Sequence, residues 1–244
     1  MITTTFAHHR ATITLDAPRT RNALPMAGWH ALAEAVTQIA RSRPRVVLIR
    51  SAAEGMFCAG SDLKEIAALA ENEAARAPFR RAMRDALDRL AGLAMPVIAA
   101  VDGDCFGAGV ALALAADIRV AGPRAVFAIT PAKLGITYPG EDVARLRALV
   151  GPGQAARLLY AADPIGVDEA LRIGLAEIAG DAAVAAALAE TIAARSPASL
   201  AALKRTLADP GNPAHDAAFD AAFAGADFRE GLAAFGERRA PRFG

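Results

Sequence analysis

Two stretches of the chain, FCAGSDLKEI (Phe57–Ile66) and VDGDCFGAGVALALAADI (Val101–Ile118), follow one plan. Each runs from a short apolar segment through a tight bend of glycine and small residues into a helical pattern. Repeated strand, bend and helix confine a chain to an α/β architecture, because each buried strand needs a helix to cover it. The surrounding sequence agrees. ATITLD (Ala11–Asp16) alternates as a strand, and RVVLIR (Arg45–Arg50) and PVIAAV (Pro96–Val101) are short β-branched-rich apolar runs. IRVA and AVFA add two further short strands. Helical spacing is expected over Pro25–Ile39, from Leu63, over roughly Ala75–Gly92 and over about Gly107–Ala116. Beyond about residue 130 the pattern is nearly all helical, from VARLRALV to EGLAAFGERR. The division expected is an α/β core over residues 1–190 and a C-terminal helical region over 191–244 that is not an independent domain.

The chain has 244 residues, 54% hydrophobic and 22% charged, enough for one large domain with a sizeable core. A net charge of +1 speaks against a dedicated nucleic-acid binder but leaves room for a small basic patch on an anionic ligand. The two cysteines, Cys58 and Cys105, lack metal or redox spacing and suit a reducing compartment. MITTTFAHHR lacks the apolar run of a secretory signal, and alanine-rich stretches such as AAVAAALAE are too short to span a membrane. The expectation is a cytoplasmic protein with no membrane partner. His8, His9, His30 and His215 show no metal-ligand spacing, so no metal is expected.

What the bends can do is narrower than their glycine content suggests. Gly103, Gly107 and Gly109 do not fit a dinucleotide fingerprint, and no Walker lysine follows. Two readings remain: plain tight turns, or a pair of backbone donors forming an oxyanion hole, helped by a helix dipole at the second bend. Ser61 as a hydrolase nucleophile fails, since AGSDL is not G-x-S-x-G and no partner base is identifiable. Cys58 and Cys105 read as small buried hydrophobes, with no histidine in the motifs to form a thiolate pair.

FCAGSDLKEI resembles the F-x-A-G-x-D-[LI] segment of the crotonase, or enoyl-CoA hydratase/isomerase, superfamily. VDGDCFGAGVALALAADIRVA is similar to its second, glycine-rich signature, and APRTRNAL, AKLGITYPGEDVARL, GPGQAARLLYAADPIGVDEALRIGLAE, SPASLAALKRTL and FREGLAAFGERRAPRF agree in family order. The resemblance implies a spiral of ββα units whose C-terminal helical region supports a homotrimer or a dimer of trimers. It implies acyl-CoA thioester substrates, with coenzyme A entering as part of the substrate and no separate cofactor. Carried over by position, the oxyanion donors are the N–H groups of Ser61 and Ala108, each worth about 2.7–4 kcal/mol of barrier. Ala59, Gly60, Gly107 and Gly109 would let a thioester carbonyl approach closely. Coenzyme A would lie along the first bend and the RTRNAL loop, with Arg19 and Arg21 at its phosphates or merely solvated. Ala23, Ala59, Asp62 and Leu63 would add backbone contacts.

The family pattern breaks where water would be activated. Hydratases of this family use two glutamates on one water. Here the first position is Ala111, and the second, in ITPAKLG, is Pro131, or Ala132 after a one-residue shift. FAITPAKLGITYP resembles the methylmalonyl-CoA decarboxylase branch at Thr130 and Tyr138, although a histidine position of that branch is Ser61 here. Decarboxylation makes an enolate by losing carbon dioxide and needs no base at a C–H bond. In that reading the neutral Tyr138 hydroxyl, with a reference pKa of about 10, orients the leaving carboxylate, or else is a half-buried ring beside a turn. Thr130 is a second polar candidate, or only satisfies backbone before Pro131. Glu141 or Asp142 adds a polar group near the site, and an isomerase would use Glu141, or a carboxylate brought in by folding, as its acid/base; otherwise Glu141 is only a charge in a helix's first turn. Asp104 lines the acyl pocket or caps its bend. An acyl-CoA-binding module without catalysis is the alternative from another class, and an RNA-binding role is disfavoured by the charge.

Overall fold

The computed structural model describes residues 1–244. It opens on a hairpin, β1 (Ile2–Ala7) against β2 (Arg10–Leu15), closed by a two-residue turn at His8 and His9. Both histidines are left-handed, φ 48° and 64°, the backbone of the turn whose twist suits a tight hairpin. β1 is absent from the sequence reading because ITTTFA is a largely exposed edge strand without an apolar face. α1 (Met26–Ser42) follows and buries Trp29, Leu32, Ala33, Val36 and Ile39 at helical spacing.

Each turn of the spiral then runs strand, strand, helix. The first is β3 (Val46–Ser51), β4 (Met56–Cys58), α2 (Leu63–Glu71) and α3 (Glu73–Ala91). The second is β5 (Val97–Val101), β6 (Asp104–Phe106) and α4 (Ala108–Leu114). The third is β7 (Ile118–Ala121), β8 (Val126–Ala128), a 3-10 helix at Pro131–Leu134 and α5 (Gly140–Ala161). α5 breaks at Gly151, where φ 74° and ψ 166° leave the helical region just before Pro152. α6 (Val167–Arg172), β9 (Ile178–Ala179), α7 (Ala182–Ala193), α8 (Pro197–Ala208), α9 (Ala214–Ala222) and α10 (Ala226–Glu237) complete the chain. First strands join a six-stranded sheet, order β1-β2-β3-β5-β7-β9, and second strands a parallel three-stranded sheet, β4-β6-β8. The α/β spiral expected from the sequence is the fold observed.

Continuous apolar runs in β3 and β5 follow from burial on both faces. Val47, Ile49, Val97, Ala99 and Val101 face the main core, while Val46, Leu48, Ile98 and Ala100 meet Ala185, Ala189 and Ala193 of α7. Alanines let that helix lie close on the sheet, so the AAVAAALAE stretch is a sheet cover. Packing of α7 to Ala193 carries the sheet-bound part of the chain past residue 190, to a break at Ala194–Ser196. Beyond it, Lys204 bonds Asp117 at 2.7 Å, and Arg45 donates to the Phe243 carbonyl at 2.6 Å, holding the C-terminal helices on the core.

Candidate active site

The two sequence bends lie side by side because β4 and β6 are adjacent, with Cys58 and Cys105 as register partners. In the first, Gly60 has φ +100°, and a methyl there would stand 2.7 Å from the Phe106 carbonyl oxygen and 3.1 Å from the Ala108 nitrogen. Only glycine permits both that backbone and that approach. The RTRNAL loop laces along this bend: Ala59 N–H donates to Arg21 O at 2.9 Å, Leu24 N–H to Gly60 O at 2.8 Å, and Asp62 N–H to Leu24 O at 3.1 Å. This parallel bridge turns the Ser61 N–H away from Leu24, and it meets no protein acceptor.

In the second bend Gly107 has φ 51° and ψ −118°, and its N–H donates to Ala128 O of β8 at 2.9 Å. A side chain on Gly109 would strike the Cys58 carbonyl, so α4 lies directly on β4. Ala108 is the first residue of α4, and its N–H likewise meets no protein acceptor. Two unpaired, half-buried backbone donors on abutting bends are what an oxyanion needs. The helix dipole expected to help is small, since α4 spans only seven residues; the local peptides carry the polarity.

Around the cradle the predicted residues divide. Thr130 is half-buried with no hydrogen bond of its own hydroxyl, and its Oγ1 lies 3.4 Å from where a Gly107 side chain would begin. Tyr138 is half-buried, packs its ring on the core, and donates its hydroxyl to Gly107 O at 3.0 Å. Burial pushes its phenol well above the usual range, with the Asp142 charge adding to it, so the proton stays on. Ala111 is wholly inside the core. Glu141 is exposed on the first turn of α5, whereas Asp142 beside it is fully buried. Asp142 accepts from Arg84 at 2.8 Å and lies 3.6 Å from Arg145, leaving Oδ2 without a partner. Burial raises the Asp142 carboxyl, opposed by the bond and charge of Arg84.

At the rim, Asp62 caps α2, accepting from Lys64 N at 2.8 Å and Glu65 N at 3.2 Å. Ala23 and Ala59 are half-buried and Leu63 is exposed. Arg19 is exposed and makes no ion pair; Arg21 pairs with Asp104 and lies 6.0 Å over the Phe106 ring. Asp104 is therefore turned to Arg21, neither capping its bend nor standing free. Cys58 is pushed up to about 12 by burial and Cys105 well above its usual range, so both are inert thiols. Sequence reading missed Asn22. It is buried, accepts from Ala17 N at 2.7 Å, and donates to Ser51 Oγ at 2.8 Å and Phe57 O at 3.0 Å, pinning the RTRNAL loop to β4. A lone asparagine among arginines was the only signal.

A family model described as Enoyl-CoA hydratase/isomerase matches residues 7–244. The Mycobacterium leprae protein named "Probable enoyl-CoA hydratase" is 34% identical over 251 residues, covering 100% of this chain and 99% of that one. Mouse mitochondrial methylglutaconyl-CoA hydratase is 34% identical over 214 residues, covering 82% and 68%. Among solved structures, an enoyl-CoA hydratase from Bacillus anthracis superposes with TM-score 0.92 at 32% identity, covering 99% and 98%.

Proposed function

The chain belongs to the enoyl-CoA hydratase/isomerase family, and on that premise we propose that its acyl-CoA chemistry is decarboxylation of a malonyl-type CoA thioester. The observation that carries this reading is Ala111, sealed in the core where a hydratase would present its first glutamate, together with Pro131 opening a 3-10 helix at the second position. Of the carboxylates nearby in sequence, Asp62 is engaged in a helix cap and Asp104 with Arg21, Asp142 binds Arg84 through Oδ1 alone, and Glu141 is exposed on the first turn of α5.

In this mechanism the thioester oxygen accepts the Ser61 and Ala108 N–H bonds. The bond from Cα to the carboxylate breaks, carbon dioxide leaves, and the electron pair enters the thioester as an enolate held by the two donors. A proton from water then closes Cα. Thr130, whose hydroxyl has no other partner, is assigned to the departing carboxylate. Coenzyme A lies along the RTRNAL loop with its phosphates at Arg19 and Arg21, the latter exchanging Asp104 for phosphate. Three copies associate through the C-terminal helices, or six as a dimer of trimers.

A second reading, double-bond isomerisation, is favoured by the free, buried Oδ2 of Asp142, a carboxyl raised toward acid/base use. The relatives' names favour a third, hydration. Offering methylmalonyl-CoA, a 3-enoyl-CoA and crotonyl-CoA to the purified protein separates them. Carbon dioxide from the first alone is the expected result. Rapid hydration of crotonyl-CoA would overturn the argument from Ala111, and binding without turnover would leave a module.

A further inference from the structure

We infer that Tyr138 is a positioning residue of the cradle that acts through a single peptide unit: it donates to the Gly107 carbonyl, which shares its peptide bond with the Ala108 N–H. This rests on the reading of Ala108 as an oxyanion donor.

A peptide unit is planar, so fixing its oxygen fixes the direction of its N–H. A hydrogen bond at the oxygen also draws density from the nitrogen and makes the N–H a stronger donor, by about 10–30% per link in a chain of such bonds. Gly107 O already accepts Val110 N–H at 2.9 Å and Ala111 N–H at 3.4 Å; the phenol, at 3.0 Å, is the one side chain among its donors. Glycine at φ 51° and ψ −118° has no side chain to hold that peptide in place, and beyond the two bonds from α4 the further brace comes from outside the helix. Tyr138 supplies it from the segment between the 3-10 helix and α5, with its ring seated on the core. The first donor is built alike. The Gly60 carbonyl, in one peptide with the Ser61 N–H, accepts Leu24 N–H at 2.8 Å. Each donor peptide is thus backed by bonds to its carbonyl: at Gly60 from the Leu24 N–H and, at 3.9 Å, from the buried Cys58 thiol, and at Gly107 from the Tyr138 hydroxyl. With its proton committed to Gly107, Tyr138 has none left to donate to an acyl group.

Cinnamoyl-CoA is a conjugated thioester whose absorption moves to longer wavelength as its carbonyl is polarised, so it reads donor strength without turnover. The wild-type protein is expected to bind it with a red shift. Tyr138→Phe keeps the ring and deletes the hydroxyl. It is expected to bind within about twofold of wild type with a smaller red shift, and to turn over methylmalonyl-CoA about tenfold more slowly at unchanged KM. An unchanged shift in the variant overturns the inference and leaves the proposed function standing. No shift in the wild type overturns the donor assignment and the inference with it. A second probe guards against a folding defect. The chain has two tyrosines, and Tyr160 is 81% exposed, so Tyr160→Phe protein grown on 3-fluorotyrosine is labelled only at residue 138. Fluorination strengthens the phenol as a donor, and the red shift should grow. A purely structural brace would leave it unmoved, and that result also contradicts the inference.

Discussion

Gly60 holds the two bends of the cradle against each other, and its lack of a side chain is what lets them meet. A methyl there would press on backbone atoms of Phe106 and Ala108 in a conformation alanine disfavours. Gly60→Ala should lower stability by about 1–3 kcal/mol from strain and abolish the cinnamoyl-CoA shift. Gly135→Ala is the control: φ is +70° but the space is open, so about 1–2 kcal/mol should be lost with the shift retained. Urea denaturation and the absorption titration check both. Gly60 was legible in sequence because a close approach leaves only small residues at the bend. The partner of Tyr138 was not. In sequence Tyr138 reads as a hydroxyl on a leaving carboxylate or a half-buried ring beside a turn, and its bond to the Gly107 carbonyl depends on how a segment 31 residues downstream seats on α4.

Elements buried on both faces, β3 and β5, were legible, and so was amphipathic α1, because periodicity reports burial directly. β1 was not, since an exposed edge strand is defined by its neighbour and not by its own pattern. The same blindness concealed Asp142. In sequence Glu141 and Asp142 are equivalent first-turn acids, and only the seating of α5 on the core, with Arg84 of α3 reaching the Asp142 carboxylate, buries one. α10 carries a charge clip that predicts a pH effect. Glu230 is held down to about 2, first by its bonds to Arg239 and then by the Arg242 N–H. A depressed carboxyl stabilises above its unfolded value, here the usual 4.5, and loses that contribution as pH falls toward about 2. Hydrogen exchange should show the Arg239–Gly244 tail protected at neutral pH and released across that window. Glu230→Gln should release it at every pH.

At the scale of the molecule, no helix is long and apolar enough to cross a membrane, yet the C-terminal helices expose aromatic side chains. Phe219 and Phe223 pack edge to face at 5.2 Å, Phe223 and Phe228 at 5.3 Å, and Phe235 is 83% exposed. Such surface is costly in an isolated chain and fits the trimer proposed above. Light scattering should give three or six copies for the wild type, with a Phe223→Asp, Phe235→Asp double variant shifted toward monomer. A monomeric wild type would contradict the assembly but not the cradle.

The central claim is a cradle that stabilises an enolate without a base to make one. Propionyl-CoA held in deuterated buffer with the protein tests it most directly, because washing out its Cα protons requires a base in addition to the two donors that hold the enolate. Proton NMR should show those protons retained, while methylmalonyl-CoA in the same buffer yields propionyl-CoA with a single deuterium at Cα. Washout of the propionyl-CoA protons would contradict the account.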